Sequence, residues 1–193
     1  MRETPNFTGW LATILHREDN TTERLTRQLK LIGFQVTVQW QPLDAADLPD
    51  IVLVDADQGW DGLLPWNDGD APRPLVALLG SEAPGRIAWA MEQGVGAIIA
   101  KPLASSAVYP ALVMALGIHR ERKGVLEKMK HLEERVRLRP LVHAAVERII
   151  AVRKVDEELA YSILRNCAMQ RRMPMEQVAA SILGGAEPLP EAG

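Results

Sequence analysis

Short apolar runs alternate with segments of helical periodicity in the first hundred residues. The run at residues 34–40 alternates apolar and polar positions, whereas residues 50–57 are apolar almost throughout. A continuous apolar run is typical of a strand that is buried on both faces of a parallel sheet. Five segments fit a strand: residues 11–16, 34–40, 50–57, 74–80 and 95–102.

Helical patterns separate several of these strands. Residues 21–32 repeat leucine at helical spacing, with Thr21 as the predicted N-cap and Gly33 as the stop signal. Residues 83–94 give a second, shorter helix. The alternation predicts an α/β domain over residues 1–107, built on a doubly wound, five-stranded parallel sheet of flavodoxin-like order.

Residues 108–139 form one long predicted helix with a narrow apolar stripe. The apolar positions recur at spacings of four and three, interrupted by Arg122, and charged residues flank them. This pattern predicts a coiled-coil homodimer; an amphipathic helix lying on its own domain is the alternative, and the narrow stripe favours the coiled coil. The predicted dimerisation residues are Ile118, Val125, Met129, Leu132 and Val136.

The residues that follow predict a small bundle of three helices. Pro140 lacks the N–H that would bond to Val136, so we expect it either to kink the long helix or to begin a new one. Asp156 is the predicted N-cap of the middle helix. The helices are predicted at residues 140–154, 157–172 and 174–184, within a bundle over 140–185 that a flexible tail at 186–193 follows.

Charge is distributed unevenly along the 193 residues. The chain carries a formal net charge of -3, yet residues 117–172 contain 14 Lys and Arg against 8 Asp and Glu. A basic helical segment attached to an acidic domain indicates that the helices meet a polyanion such as nucleic acid.

The composition argues against several other classes of protein. Cys167 is the single cysteine, which rules out a disulfide framework and a cysteine-based zinc site. No segment approaches the roughly 20 apolar residues that span a bilayer, and the start lacks the features of a signal peptide, so we expect a cytoplasmic protein. The four histidines are scattered without an evident nucleophile–base pair, so we expect neither an enzyme nor a bound cofactor or metal.

The first domain resembles the receiver domain of response regulators over roughly residues 10–120. In "IVLVDAD", Asp55 falls at the position of the family's phosphoacceptor, and "AIIAKPL" places Lys101 and Pro102 at its conserved Lys–Pro pair, whose Pro is usually cis. The resemblance therefore implies a receiver-like pocket at the end of the sheet.

This pocket departs from the family pattern. Receivers hold Mg²⁺ with two acidic residues after the first strand, where this chain has His16 and Arg17. We therefore predict a pseudo-receiver in which Asp55 is structural and pairs with Arg17 or Lys101.

The three-helix segment resembles the ANTAR domain, an RNA-binding antiterminator module. The resemblance rests on "VHAAVERII", "DEELAYSIL" and "AMQRRMPMEQVAASIL", although Val146 and Glu147 replace the family's Lys-Gly pair. Together with the degenerate receiver, these features are similar to antitermination regulators of amidase operons. The predicted core residues are Ala145, Ala160, Ala168, Val178 and Ala179.

The resemblance implies a protein that binds hairpin loops in a leader transcript and prevents a terminator from forming. It also implies a ligand-sensing protein as the negative regulator. A phosphorylation-controlled response regulator with RNA- or DNA-binding output is the alternative; a helix-turn-helix is disfavoured because no tight glycine turn joins two of the helices. The predicted RNA-binding residues are Arg153, Lys154, Arg165, Asn166, Gln170, Arg171 and Arg172.

Overall fold

The computed structural model describes residues 4–66 and 69–185, which form two compact units. Unit 1 comprises Met1–Gly124 and unit 2 comprises Val125–Gly193. The predicted tail at residues 186–193 lies outside the described residues.

A five-stranded parallel sheet forms the centre of unit 1. Its strands are β1 (Leu11–Leu15), β2 (Gln35–Gln39), β3 (Ile51–Asp55), β4 (Leu75–Leu79) and β5 (Ala97–Ala100). The strand order is β2-β1-β3-β4-β5 and every neighbouring pair is parallel. The predicted fold class is confirmed.

The N-cap of the first helix, α1 (Asn20–Ile32), lies two residues earlier than predicted. Asp19, not Thr21, is the N-cap: the Asp19 carboxylate accepts from the Thr22 N–H at 2.9 Å, and Thr22 Oγ1 accepts from the Asp19 N–H. This reciprocal capping box satisfies two N–H groups at once, which a cap at Thr21 would not do. The helix ends at Gly33, whose φ of 108° is accessible because glycine has no Cβ.

Two connections of the sheet differ from the expected β/α alternation. Only α2 (Pro84–Glu92) and the beginning of α3 follow the later strands, and the described residues of the β2–β3 and β3–β4 connections contain no helix. Prolines recur in both connections, and the second also contains several glycines, which explains why helical periodicity fails there. Leu43, Leu63 and Leu64 are nevertheless buried, so these loops cover that face of the sheet in place of helices.

Each face of the sheet has its own hydrophobic core. Ile51 and Leu53 of β3 point into a core shared with α1 and the first turns of α3, whereas Val52 and Val54 point into a core shared with α2 and the helix-free loops. All four side chains are fully buried. A strand with a core on both sides needs apolar residues at successive positions, which is the pattern that predicted it.

Helix α3 (Ser105–Arg153) is 49 residues long and supplies residues to both units. It continues through Pro140, so no separate helix begins there. Proline removes one hydrogen bond of the helical ladder, but Leu141 and Val142 directly after it pack on the core of unit 2 and hold the backbone helical on that side.

Unit 2 packs the end of α3 against α4 (Glu157–Arg171) and α5 (Met175–Leu183). Asp156 is the N-cap of α4, accepting from the Leu159 N–H at 2.8 Å. Small side chains let the three helices approach closely, and all five residues predicted for this core are buried: Ala145, Ala160, Ala168, Val178 and Ala179.

Candidate functional site: the receiver-like pocket and the helical bundle

A polar pocket lies at the carboxyl ends of the parallel strands in unit 1. Asp55 ends β3, His16 follows β1 and Lys101 follows β5. The strand order reverses between β1 and β3, which is where open α/β sheets form a crevice. The chain has therefore brought three of the predicted receiver-pocket residues together.

Lys101 is held between two carboxylates. Its Nζ lies 2.8 Å from Asp55 Oδ1 and 2.8 Å from Asp57 Oδ2. Burial alone acts to lower the pKa of Lys101, but the hydrogen bonds to Asp55 and Asp57 outweigh it and raise the pKa above its ordinary 10.5. The Lys101–Pro102 peptide is cis.

Asp57 is a pocket residue that the sequence reasoning missed. Besides Lys101, its carboxylate accepts from the N–H groups of Gly80 at 2.8 Å and Ser81 at 3.0 Å, in the loop after β4. Burial acts to raise the pKa of Asp57, but the Lys101 hydrogen bond and the Gly80 N–H outweigh it and lower the pKa. The repeated acid in "DAD" was the available signal, since Asp57 lies two residues beyond Asp55.

His16 completes the pocket, and Arg17 lies outside it. His16 is 5% exposed; its Nε2 lies 3.2 Å from Asp55 Oδ2, and its Nδ1 lies 2.7 Å from the Arg17 carbonyl oxygen. The Arg17 side chain is exposed. Asp55 forms one of the two predicted ion pairs, the pair with Lys101. Arg17 contacts the pocket through its backbone carbonyl, which holds the imidazole of His16 in place.

The residues of this pocket do not fit the Mg²⁺ site of a working receiver. A dication needs several hard oxygen ligands, yet the Lys101 ammonium takes both the Asp55 and the Asp57 carboxylates, and the imidazole of His16 faces the second oxygen of Asp55. Of the two acids in the loop after β1, Glu18 is exposed and Asp19 is used as the N-cap of α1. Among residues 4–66 and 69–185, no three His, Cys, Asp or Glu side chains are grouped to hold a metal ion.

Helix α4 presents a polar surface opposite its buried face. Ile163, Leu164 and Cys167 point into the bundle. Asn166 and Gln170, one turn apart, lie on the outer face. All seven predicted RNA-binding residues are exposed: Arg153, Lys154, Arg165, Asn166, Gln170, Arg171 and Arg172.

The basic residues of this set lie at two helix ends and along α4. Lys154 follows the last residue of α3 with φ of 59°, and Arg172 is the C-cap of α4 with φ of 53°. Both are left-handed conformations that end a helix. Arg165 lies within α4, roughly two turns before this C-cap.

Three residues of unit 2 with structural contacts were missed from the sequence. Arg135 Nε lies 3.4 Å from Oε1 of Glu176, which is only 8% exposed in the first turn of α5. Arg148 Nη1 donates to the carbonyls of Ile182 and Leu183 at 3.4 Å, at the other end of α5. A charged residue at helical spacing usually faces solvent, so nothing in the pattern singled these out.

The predicted dimerisation residues occupy an exposed apolar stripe of α3. Ile118 is half-buried, whereas Val125 is 50% and Val136 is 65% exposed. Met129 and Leu132 are exposed to a similar extent. A contiguous apolar stripe in this state is typical of an interaction surface.

Two known protein families match separate segments of the chain. Residues 11–116 match the family "AmiR, N-terminal", and residues 130–183 match the family "ANTAR domain". The chain belongs to the AmiR family. It is an antitermination regulator that combines a receiver-like domain with an ANTAR domain, and the family predicted from the sequence is confirmed. The ANTAR match begins ten residues before Pro140, in the part of α3 that contains Arg135.

Two curated relatives are similar along most of the chain. The aliphatic amidase regulator of Pseudomonas aeruginosa is 29% identical over 175 residues, covering 89% of both chains. The transcriptional regulatory protein PdtaR of Mycobacterium tuberculosis is 26% identical over 187 residues, covering 88% of both chains. Both relatives are named as regulators rather than enzymes.

A solved structure supports the fold. The response regulator StyR superposes with a TM-score of 0.52 at 16% identity, covering 89% of this chain and 98% of its own. Within the described part of the chain, no helix combines the length and the apolar character needed to cross a membrane.

Proposed function

We propose that the chain prevents transcription termination by binding hairpin loops of a leader transcript through its ANTAR bundle. The observation that carries this proposal is the outer surface of α4, where the exposed amides of Asn166 and Gln170 lie among the exposed Arg165, Arg171 and Arg172. Such a transcript is made in the cytoplasm, where the protein would act.

The surface has the two kinds of group that RNA recognition needs. The guanidinium groups of Arg165, Arg171 and Arg172 bind phosphates, while the Asn166 and Gln170 amides bind base edges that a hairpin loop exposes. Arg153 and Lys154 extend the basic surface at the end of α3.

Tyr161 adds an aromatic group that the sequence reasoning did not assign to RNA. It lies one helical turn before Arg165 and is 45% exposed. Unstacked loop bases stack on exposed aromatic rings, so Tyr161 belongs to the proposed surface.

Control by a protein partner, rather than by phosphorylation, is part of the proposal. Lys101 holds Asp55 and Asp57 together, so the carboxylates that would bind a catalytic metal are already paired with an ammonium group. Phosphoryl transfer depends on such a metal to neutralise developing charge. A ligand-sensing protein that sequesters the regulator needs no such chemistry.

Homodimerisation through α3 also belongs to the proposal. The exposed residues Val125, Met129, Leu132 and Val136 would meet the same residues of a second copy. Two bundles on one dimer could then engage two hairpins of the same transcript, which raises the effective affinity of each.

The experiment that tests this function measures binding of the full chain to a fluorescent hairpin RNA from the leader of its own operon. We expect saturable binding that weakens as salt is raised, with duplex DNA of the same sequence binding much more weakly. The matched control is a closed stem, an RNA in which the loop nucleotides are base-paired. Equal affinity for the hairpin, the closed stem and the DNA would contradict loop recognition.

A further inference from the structure

Four of the five tryptophans of the chain lie on one side of unit 1. Trp66 and Trp89 are buried in the core beside the helix-free loops, and Trp40 packs on its edge. Trp60 stacks edge-to-face on Trp40, with ring centroids 5.0 Å apart and an interplanar angle of 81°. Trp60 is nevertheless 40% exposed, so a large apolar ring faces outward from this side.

The loops that present this pair are firmly anchored. The Leu43 N–H donates to the Leu63 carbonyl at 3.1 Å, which joins the two helix-free connections. Arg86 Nη1 donates to the Gly59 carbonyl at 2.8 Å, directly before Trp60. Trp66 Nε1 donates to the Gln93 carbonyl at 3.1 Å. Trp60 is therefore exposed on a fixed loop, and little ordering entropy would be lost when it binds.

Exposed carboxylates accompany the two indole rings along these loops. Asp44 and Asp47 follow Trp40, and Asp61 follows Trp60; all three are exposed. We use the name indole patch for Trp40, Asp44, Asp47, Trp60 and Asp61. Carboxylates repel RNA, so the patch is unsuited to the polyanion that unit 2 is proposed to bind.

The indole patch has the character of a protein-docking surface. Tryptophan is enriched among the few residues that supply most of the energy of a protein interface, and charges around such a centre select the partner. Long connections without secondary structure are uncommon in compact domains and are usually functional.

We propose that the indole patch docks the regulatory protein partner, which offers an apolar cleft for Trp60 surrounded by Lys and Arg. This proposal rests on the partner control set out under Proposed function and names the surface that carries it. Docking on unit 1 leaves the RNA-binding residues of unit 2 chemically unchanged, so the two activities are separable by substitution.

The test titrates the full chain with the purified proteins encoded beside its gene, by calorimetry. We expect one of them to bind, and Trp60→Ala to weaken that complex by about 30-fold, the effect of an interface residue worth about 2 kcal/mol. The matched control is Leu31→Ala, which removes an apolar side chain that is 77% exposed on α1. The combined change Asp44→Lys and Asp61→Lys should also weaken the complex, and Glu92→Lys should leave it unchanged.

Hairpin binding by the same variants separates this proposal from the proposed function. Unchanged RNA affinity together with a weakened complex supports the indole patch. RNA affinity that falls with Trp60→Ala would overturn it, as would a partner complex that tolerates both Trp60→Ala and the two lysines. The proposal would also be overturned if none of the proteins encoded beside the gene binds the wild-type chain. It would be overturned as well if light scattering shows that Trp60→Ala halves the mass of the protein, because the patch would then serve self-association.

Discussion

Lys101 Nζ lies 2.8 Å from Asp55 Oδ1, at the point in the sheet where a working receiver accepts its phosphoryl group. The same ammonium group is 2.8 Å from Asp57 Oδ2 and 3.4 Å from His16 Nε2. Lys101, which follows β5, thus joins residues at the ends of β1 and β3. The pocket has become an internal ion-pair network, which explains how a receiver-like fold persists without the acids that bind a metal.

The first prediction concerns phosphorylation of this pocket. Incubation with acetyl phosphate and Mg²⁺ should leave the mass of the chain unchanged, because Lys101 already pairs the two carboxylates and His16 replaces an acidic ligand. Intact-mass spectrometry is the measurement, and a functional receiver treated in parallel is the control. A phosphate adduct at Asp55 would show that the pocket still performs phosphoryl transfer.

The second prediction concerns acid stability. The lowered pKa of Asp57 means that the folded state favours the ionised carboxylate. This carboxylate therefore stabilises the fold at any pH above its pKa in the unfolded chain, and the stabilisation is lost as the pH falls through its pKa in the folded chain. Asp57→Asn should therefore lower the thermal midpoint at neutral pH, and the difference from wild type should shrink as pH falls below about 4. Thermal unfolding followed by circular dichroism measures this. A constant difference across that range would contradict the linkage.

The sheet could be predicted from sequence because each strand carries its own signal. Residues 51–54 are apolar at every position and are fully buried, so pattern and structure agree strand by strand. The structure of the helix-free connections was harder to predict from the sequence, because their buried residues have no regular spacing. These residues, Leu63, Leu64 and Trp66, are fixed by packing on the sheet.

The pocket was only partly predictable for the same reason. Asp55 and Lys101 follow strand ends, which a parallel sheet brings to one edge, so their meeting follows from topology. Asp57 depends on the exact turn after β3, whereas Arg17 points outward because His16 takes the inward position. The Arg135–Glu176 pair joins residues 41 positions apart in helices, a distance at which local periodicity carries no information.

The third prediction concerns oligomerisation. Leu132→Asp or Val125→Asp should convert a dimer to a monomer, because the substitution places an unpaired charge in the apolar seam of α3. Light scattering of the full chain gives the mass directly. The control is His131→Asp, which adds the same group beside Leu132 but off the predicted seam. If His131→Asp dissociates the protein equally, or if neither seam variant changes the mass, α3 is not the dimer contact.

The last prediction separates the two kinds of RNA contact on α4. Replacing Arg171 and Arg172 by Gln should weaken hairpin binding and flatten its dependence on salt, because each lost phosphate contact lowers the number of counterions released, by roughly 0.7–0.9 in the slope. Asn166→Ala and Gln170→Ala should instead reduce discrimination between loop sequences and leave the slope nearly unchanged, because base-edge contacts release few counterions. Salt titrations against cognate and mutated loops measure both quantities.

Controls for that experiment follow from the structure of the bundle. Arg172 has φ of 53°, so Arg172→Gly keeps the left-handed helix end while removing the charge, and should reproduce the flatter slope. Ser181→Ala changes a side chain of α5 rather than of α4 and should leave both slope and discrimination unchanged. Circular dichroism must show equal helicity for every variant, since a small bundle packed around small side chains tolerates little loss of stability. With folding equal, an unchanged affinity after both arginines are removed would exclude the α4 surface as the RNA site, because phosphate contacts supply a large share of the affinity in such a complex.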